Sequence, residues 1–108
     1  MRSFRPILFT IVPVGQKLVR GVTLYENTWF DHIIVGHPEL IDRLEMVEMT
    51  IAVPTTIYES SSVAGSLLFY RSGMVDDAGR FLRVVVGTDR SVKSANFTSE
   101  HGGKQRWP

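Results

Sequence analysis

Residues 29–40 read Trp29-Phe30-Asp31-His32-Ile33-Ile34-Val35-Gly36-His37-Pro38-Glu39-Leu40, and the reading of this stretch decides the fold. It has the form of a helix end, a sharp corner and the start of a second helix. Gly36 suits the left-handed conformation that closes a helix, because it has no Cβ to clash. Pro38 then falls just inside the next helix, where its missing N–H breaks no bond. Working back, Thr23 and Glu26 stand in the capping-box relation, so the first helix is expected from about Leu24 to Val35. Working forward, Leu40, Leu44, Val47 and Ile51 form one apolar stripe, which predicts a second helix from Pro38 to Val53, stopped by Pro54. At about 100° per residue, Phe30, Ile33 and Ile34 fall together as the buried stripe of the first helix, with Trp29 on its flank. His32 lies about 160° from Phe30, on the side of Tyr25 and Thr28. It therefore faces water, a cleft or the far rim of the sheet.

Further out, the period changes. Ahead of the helices, Ile7 to Val14 and Lys17 to Val22 flank a Gly15-Gln16 turn and suit a hairpin. After Pro54 come Thr55 to Glu59, Ser66 to Arg71, Phe81 to Val86 and Val92 to Thr98, each short and rich in β-formers. Turn residues separate them, as in Ser60–Gly65, Asp76–Gly79 and Gly87–Arg90. Connections this short make antiparallel pairs, since a parallel return needs a crossover of a dozen residues or more. The tail from Ser99 to Pro108 reads as polar, with Gly102-Gly103 and a late Trp107. The expected architecture is a single α+β domain over residues 1–108. Its N-terminal helices, preceded by the hairpin, pack on one face of an antiparallel sheet of about four strands. Phe30, Ile33, Leu40, Leu44 and Val47 are the expected core of the helical layer.

Composition narrows the chemistry. A chain of 108 residues, 44% hydrophobic and 21% charged, suits one globular domain. It has no cysteine, which removes disulfides, thiolate metal sites and cysteine nucleophiles, and which fits a cytoplasmic location. The apolar run after Arg2 and Arg5 imitates a signal peptide. Pro13-Val14-Gly15-Gln16-Lys17 is no cleavage site, so the run is read as mature sequence, and it is too short for a bilayer. The net charge of +1 hides a segregation: from Glu26 to Glu59 there are seven acids and one base, Arg43, while the flanking parts are basic. A positive face on a nearly neutral protein is one outcome, and a scattered surface the other.

Among polar candidates, His32 and His37 stand five apart, not the four that brings two imidazoles to one metal, so no metal and no cofactor are expected. His37 is placed to support the corner. Tyr70 and Arg71 end one strand, Arg83 interrupts an apolar one, and Lys93, Ser94 and Thr98 lie on the last. There is no nucleophile elbow, P-loop or dinucleotide glycine pattern, which leaves acyl transfer, NTP hydrolysis and Rossmann redox chemistry without support.

The order of several motifs resembles a known family. Val22-Thr23-Leu24, Trp29-x-x-His32-Ile33, His37-Pro38-Glu39, Ile51-x-x-Pro54, Ile57-Tyr58, Tyr70-Arg71, a Val-Val-Val strand, Val92-x-Ser94-Ala95-x-x-Thr98 and Trp107 follow one another. In this they resemble the phage-associated nuclease-like domains, grouped with barnase, EndoU, the colicin tRNases and RelE. The resemblance spans nearly all of the chain after Lys17. It implies helices followed by an antiparallel sheet, and a metal-independent RNase site between the first helix and the sheet. On that analogy His32, Arg71 and Thr98 are the catalytic residues. Asn96 departs from the pattern, standing where the family often has an aromatic residue that stacks a base.

Such a site cuts RNA when a base takes the ribose 2′-OH proton and an acid protonates the leaving 5′-oxygen; histidine suits either role. An arginine fork matches phosphate oxygens, and a threonine hydroxyl holds a non-bridging oxygen. Trp29 and Tyr70 are the expected stacking residues for single-stranded RNA, with Arg83, Lys93 and Ser94 as further substrate contacts. The expected function is a metal-independent endoribonuclease, a phage or toxin-type effector in kind. Its partners are RNA, single-stranded or tRNA-like, and a cognate protein inhibitor, with no membrane. The alternative is a non-catalytic module binding RNA or protein on the same fold. Catalysis demands His32, Arg71 and Thr98 around one concavity; a module does not.

Overall fold

The computed structural model describes residues 5–108; Arg2, read above with the apolar run, lies outside them. Strand β1 (Ile7–Ile11) pairs antiparallel with β2 (Val22–Tyr25) as a small two-stranded sheet. The hairpin exists, but its second strand lies later than the Lys17–Val22 segment. The loop between is fixed by Gln16, whose amide donates to the Pro13 and Val19 carbonyls and accepts from the Val19 N–H.

Because β2 claims Val22 to Tyr25, the first helix begins at Glu26 and the Thr23–Glu26 capping box does not form. Tyr25 is the N-cap, with no side-chain bond, and the Thr23 hydroxyl pairs with that of Thr10 at 3.0 Å. The helix runs as an α-turn (Glu26–Thr28), a π-helical stretch (Trp29–Ile33) and an α-turn (Ile34–Gly36). In the π stretch the Ile34 N–H bonds the Trp29 carbonyl, five residues back. Each residue then turns through less than the 100° of an α-helix, and the phase of the stripe shifts. Trp29 is 2% exposed and Ile33 fully buried, while Phe30 is 53% exposed. The expected core role of Phe30 is thus corrected: it belongs to Trp29.

The second helix is also shorter than expected. Pro38–Leu40 forms a 3-10 turn, and the α-helix proper runs Leu44–Ala52. Tight bonds from the Leu40 N–H to His37 and from the Arg43 N–H to Leu40 carry the chain between them. Leu40, Val47 and Ile51 are fully buried and Leu44 half-buried, so the apolar stripe reaches the core from two separate pieces.

The main sheet has five strands in the order β6-β5-β4-β3-β7, every neighbouring pair antiparallel. Strands β3 (Thr56–Glu59), β4 (Leu67–Tyr70), β5 (Phe81–Val86) and β6 (Val92–Thr98) are the expected meander. The fifth, β7 (Lys104–Trp107), comes from the tail read as polar, and it pairs on the far side of β3. Leu82, Val84 and Val86 alternate with Phe81, Arg83 and Val85. The first set joins Ile57, Phe69, Ala95 and Phe97 with Trp29, Ile33, Val47 and Ile51 in one core. The class is α+β, with the helices packed into the core on one side of a five-stranded antiparallel sheet; among the described residues no helix lies on the opposite face.

Candidate functional site on the open face of the sheet

That open face is built by strand alternation. With Ile57, Phe69, Leu82 and Phe97 turned into the core, Tyr58, Tyr70, Phe81, Arg83, Asn96 and Thr98 point the other way. Register sets Arg83 opposite Asn96 and Phe81 opposite Thr98. Tyr58, Tyr70 and Phe81 make a diagonal row of rings, each meeting the next edge to face at 5.7 and 5.4 Å.

Between β6 and β7 the residues Ser99–Gly103 must cross the whole open face, because the two strands are the opposite edges of the sheet. This crossing strap is held at three points. Its start is fixed by the Glu100 N–H, which donates to the Thr98 hydroxyl at 3.2 Å. Its end is fixed by Gly103, with φ of 75°, packed so closely on Glu59 that an added Cβ would lie 1.7 Å from that carbonyl oxygen. Midway, Tyr70 donates its hydroxyl to the His101 carbonyl.

His101 thereby lies over the row of rings. Its imidazole stacks on Phe81 at 4.6 Å and on Tyr58 at 5.0 Å, tilted by 23° and 26°, with Tyr70 edge-on beneath at 4.9 Å. Burial under this cover pushes the Tyr70 phenol up, against the charge of Arg83 beside it. Tyr70, Phe81 and His101 then form one wall of a depression of about 300 Å³, with Arg71, Thr55 and Thr56 on its other sides. Arg71 gives one guanidinium N–H to the Val53 carbonyl at 2.8 Å; the Nε atoms of Arg71 and Arg83 are buried without a protein partner. A hollow of about 630 Å³ at the β3–β7 edge is larger, but it is lined by Ser60, Ser61, Lys104 and the Glu59–Arg106 ion pair and holds no aromatic ring.

No family model matches this chain, and neither a curated protein nor a solved structure matches it. The likeness to the nuclease-like domains rests on the quoted residues alone.

The expected site residues are divided by this geometry. Tyr70, Arg71, Arg83, Ser94 and Thr98 belong to the open face or its rim. Thr98 spends its hydroxyl on the strap. Lys93 is paired with Asp89 at 2.9 Å. Trp29 is buried in the core beneath the helices, where no base can stack on it, which corrects that assignment. His32 is exposed on a helix packed against the other face, and neither it nor Thr98 lines the depression that holds Arg71. The expected triad is not gathered. The helical layer exposes Asp31 beside His32 and, further along, Glu39, Asp42, Glu45 and Glu48, an acidic surface that disfavours a polyanion. His37 faces Glu39 at 3.6 Å. Sequence reasoning missed His101 and Phe81. Two glycines followed by a strand-length segment ending in Trp107 were the available signal. Among the described residues no cluster of His, Asp and Glu side chains could hold a metal ion, and no helix is long and apolar enough to cross a membrane.

Proposed function

We propose that this domain acts on single-stranded RNA through the open face of its sheet. One observation carries the reading: a row of aromatic rings lies on the sheet face turned away from the helical core, under the His101 strap and beside the guanidinium groups of Arg71 and Arg83. Bases stack on aromatic side chains whatever their identity, and arginine forks take the phosphates between them. The acidic helical layer turns the polyanion toward this face and away from His32.

Binding is the part of the function that the geometry supports best. The metal-independent endoribonuclease implied by the resemblance has one observation in its favour: a histidine, His101, and an arginine, Arg71, line the same depression. Cleavage would then run by attack of the 2′-OH on the adjacent phosphorus, with the acid or base on this face and not on the first helix.

The test is titration of a labelled single-stranded RNA in EDTA, followed by analysis of the products. Tyr58→Ala should weaken binding by roughly 5–100-fold, the range of about 1–3 kcal/mol for one lost base stack. His32→Ala should leave both binding and any 2′,3′-cyclic phosphate product unchanged. Binding that survives Tyr58→Ala and falls with His32→Ala would overturn the assignment.

A further inference from the structure

Resting on that reading, we propose that the gap between Tyr58 and Phe81 is a slot for one planar heteroaromatic ring, an RNA base, and that the His101 side chain fills it when no ligand is bound. Tyr58 and Phe81 stand on strands β3 and β5, with β4 and Tyr70 between them. They lie too far apart to touch, and each stacks on the imidazole at under 5.1 Å and within 26° of parallel. The imidazole is thus a flat ring held between two others, over a third that forms the floor. A nucleobase makes the same face-to-face contacts with a larger surface.

The way His101 is held makes the exchange feasible. Its backbone is held by the bond from Tyr70 and, two residues on, by the packing of Gly103 on Glu59. Among the described residues its side chain has no hydrogen-bond partner and is held by stacking, and the residue is exposed. Rotation about its own side-chain bonds empties the slot without disturbing the strand pairing. An entering base replaces the stacking that the imidazole gives up, while Arg71, in the adjoining depression, and Arg83, beside Tyr70, bring guanidinium charge to the attached phosphates. Free protein and RNA therefore compete for the same two rings, which weakens the affinity and adds a step to binding.

The experiment compares the full chain and His101→Ala with a six-nucleotide oligoadenylate and with adenosine monophosphate as probes. In the free protein, the His101 ring protons should show the upfield shift produced by Tyr58 and Phe81, and saturating oligoadenylate should return them to solvent-exposed positions. His101→Ala leaves the backbone carbonyl that Tyr70 binds, and should tighten the oligonucleotide about tenfold. Tyr58→Leu or Phe81→Leu in that background should abolish the gain; either variant suffices if the other fails to fold. Ring protons that keep their shift in the saturated complex, or a His101→Ala protein that binds more weakly, would overturn the slot while leaving RNA binding intact. Absence of binding by both proteins would overturn the RNA reading and the slot with it.

Discussion

Tyr70 donates its phenolic hydrogen to the backbone carbonyl of His101, and the two rings meet edge to face at 4.9 Å. This one contact joins the middle of the sheet to the chain that crosses it. Tyr70→Phe keeps the ring and removes the bond, at a cost of about 1 kcal/mol. Amide exchange should rise along residues 99–103 and stay unchanged in β5, which exchange mass spectrometry resolves.

Gly103 has the stricter requirement, since φ is 75° and the Glu59 carbonyl fills the space where a Cβ would go. Gly103→Ala should lose at least about 2 kcal/mol of stability. Lys104–Trp107 should lose protection, whereas the β4–β5–β6 pairing should keep it. Equal loss across the sheet would show β7 to be integral to the rest.

The π-helical stretch makes neighbouring aromatic residues unequal. Trp29→Ala should cost about 3–5 kcal/mol, as for a large buried ring. Phe30→Ala, at an exposed position, should stay within about 0.5 kcal/mol of the parent. Chemical denaturation of both variants checks the pair, and an inverted order would restore the regular α-helical phase.

Asp89 sets the acid response of the β5–β6 turn. Hydrogen bonds from the Lys93 ammonium and from the Ser91 N–H and hydroxyl hold its carboxyl well below the usual range. A carboxyl depressed by folding stabilises the fold when ionised. The contribution is complete above the unfolded value of about 4 and is lost as pH falls through the lower folded value. Asp89→Asn should therefore melt below the parent at pH 7, and the gap should close in stronger acid.

Salt dependence separates the two cations that sequence placed together. RNA affinity should fall as salt rises, and Arg71→Gln should reduce the logarithmic slope by about one. Lys93→Gln should change it far less, because Asp89 already neutralises that ammonium. Anisotropy titrations across a salt series measure both slopes.

The sheet was legible because Phe81 to Val86 and its neighbours are short runs of β-formers between turn residues, and the short turns forced antiparallel pairing. The core stripe Leu40, Val47, Ile51 was legible for the same kind of reason. The stripe of the first helix was not, because a wheel of fixed pitch has no means of registering a π turn. Tyr70, Arg71 and Arg83 could be picked out as polar or aromatic residues on strands. His101 could not, since its position depends on Tyr70, thirty-one residues earlier, on the packing of Gly103 against Glu59, and on a strand hidden in a polar tail. His32 drew attention through a motif, and Asp31 beside it, with the acidic helical layer, argues against a polyanion there.

The pairing of β7 with β3 also orders the way the molecule comes together. The β3–β4, β4–β5 and β5–β6 pairs each close over a short turn, but β7 meets a strand from which it is separated by three others in sequence. Closing that long loop costs more entropy than closing any of the three hairpins, so the final strand is expected to dock last. His101 is carried into place by that docking. A nascent or partly folded chain has its strands and its hydrophobic core but not the layered rings, and the open face becomes complete only when everything beneath it already stands.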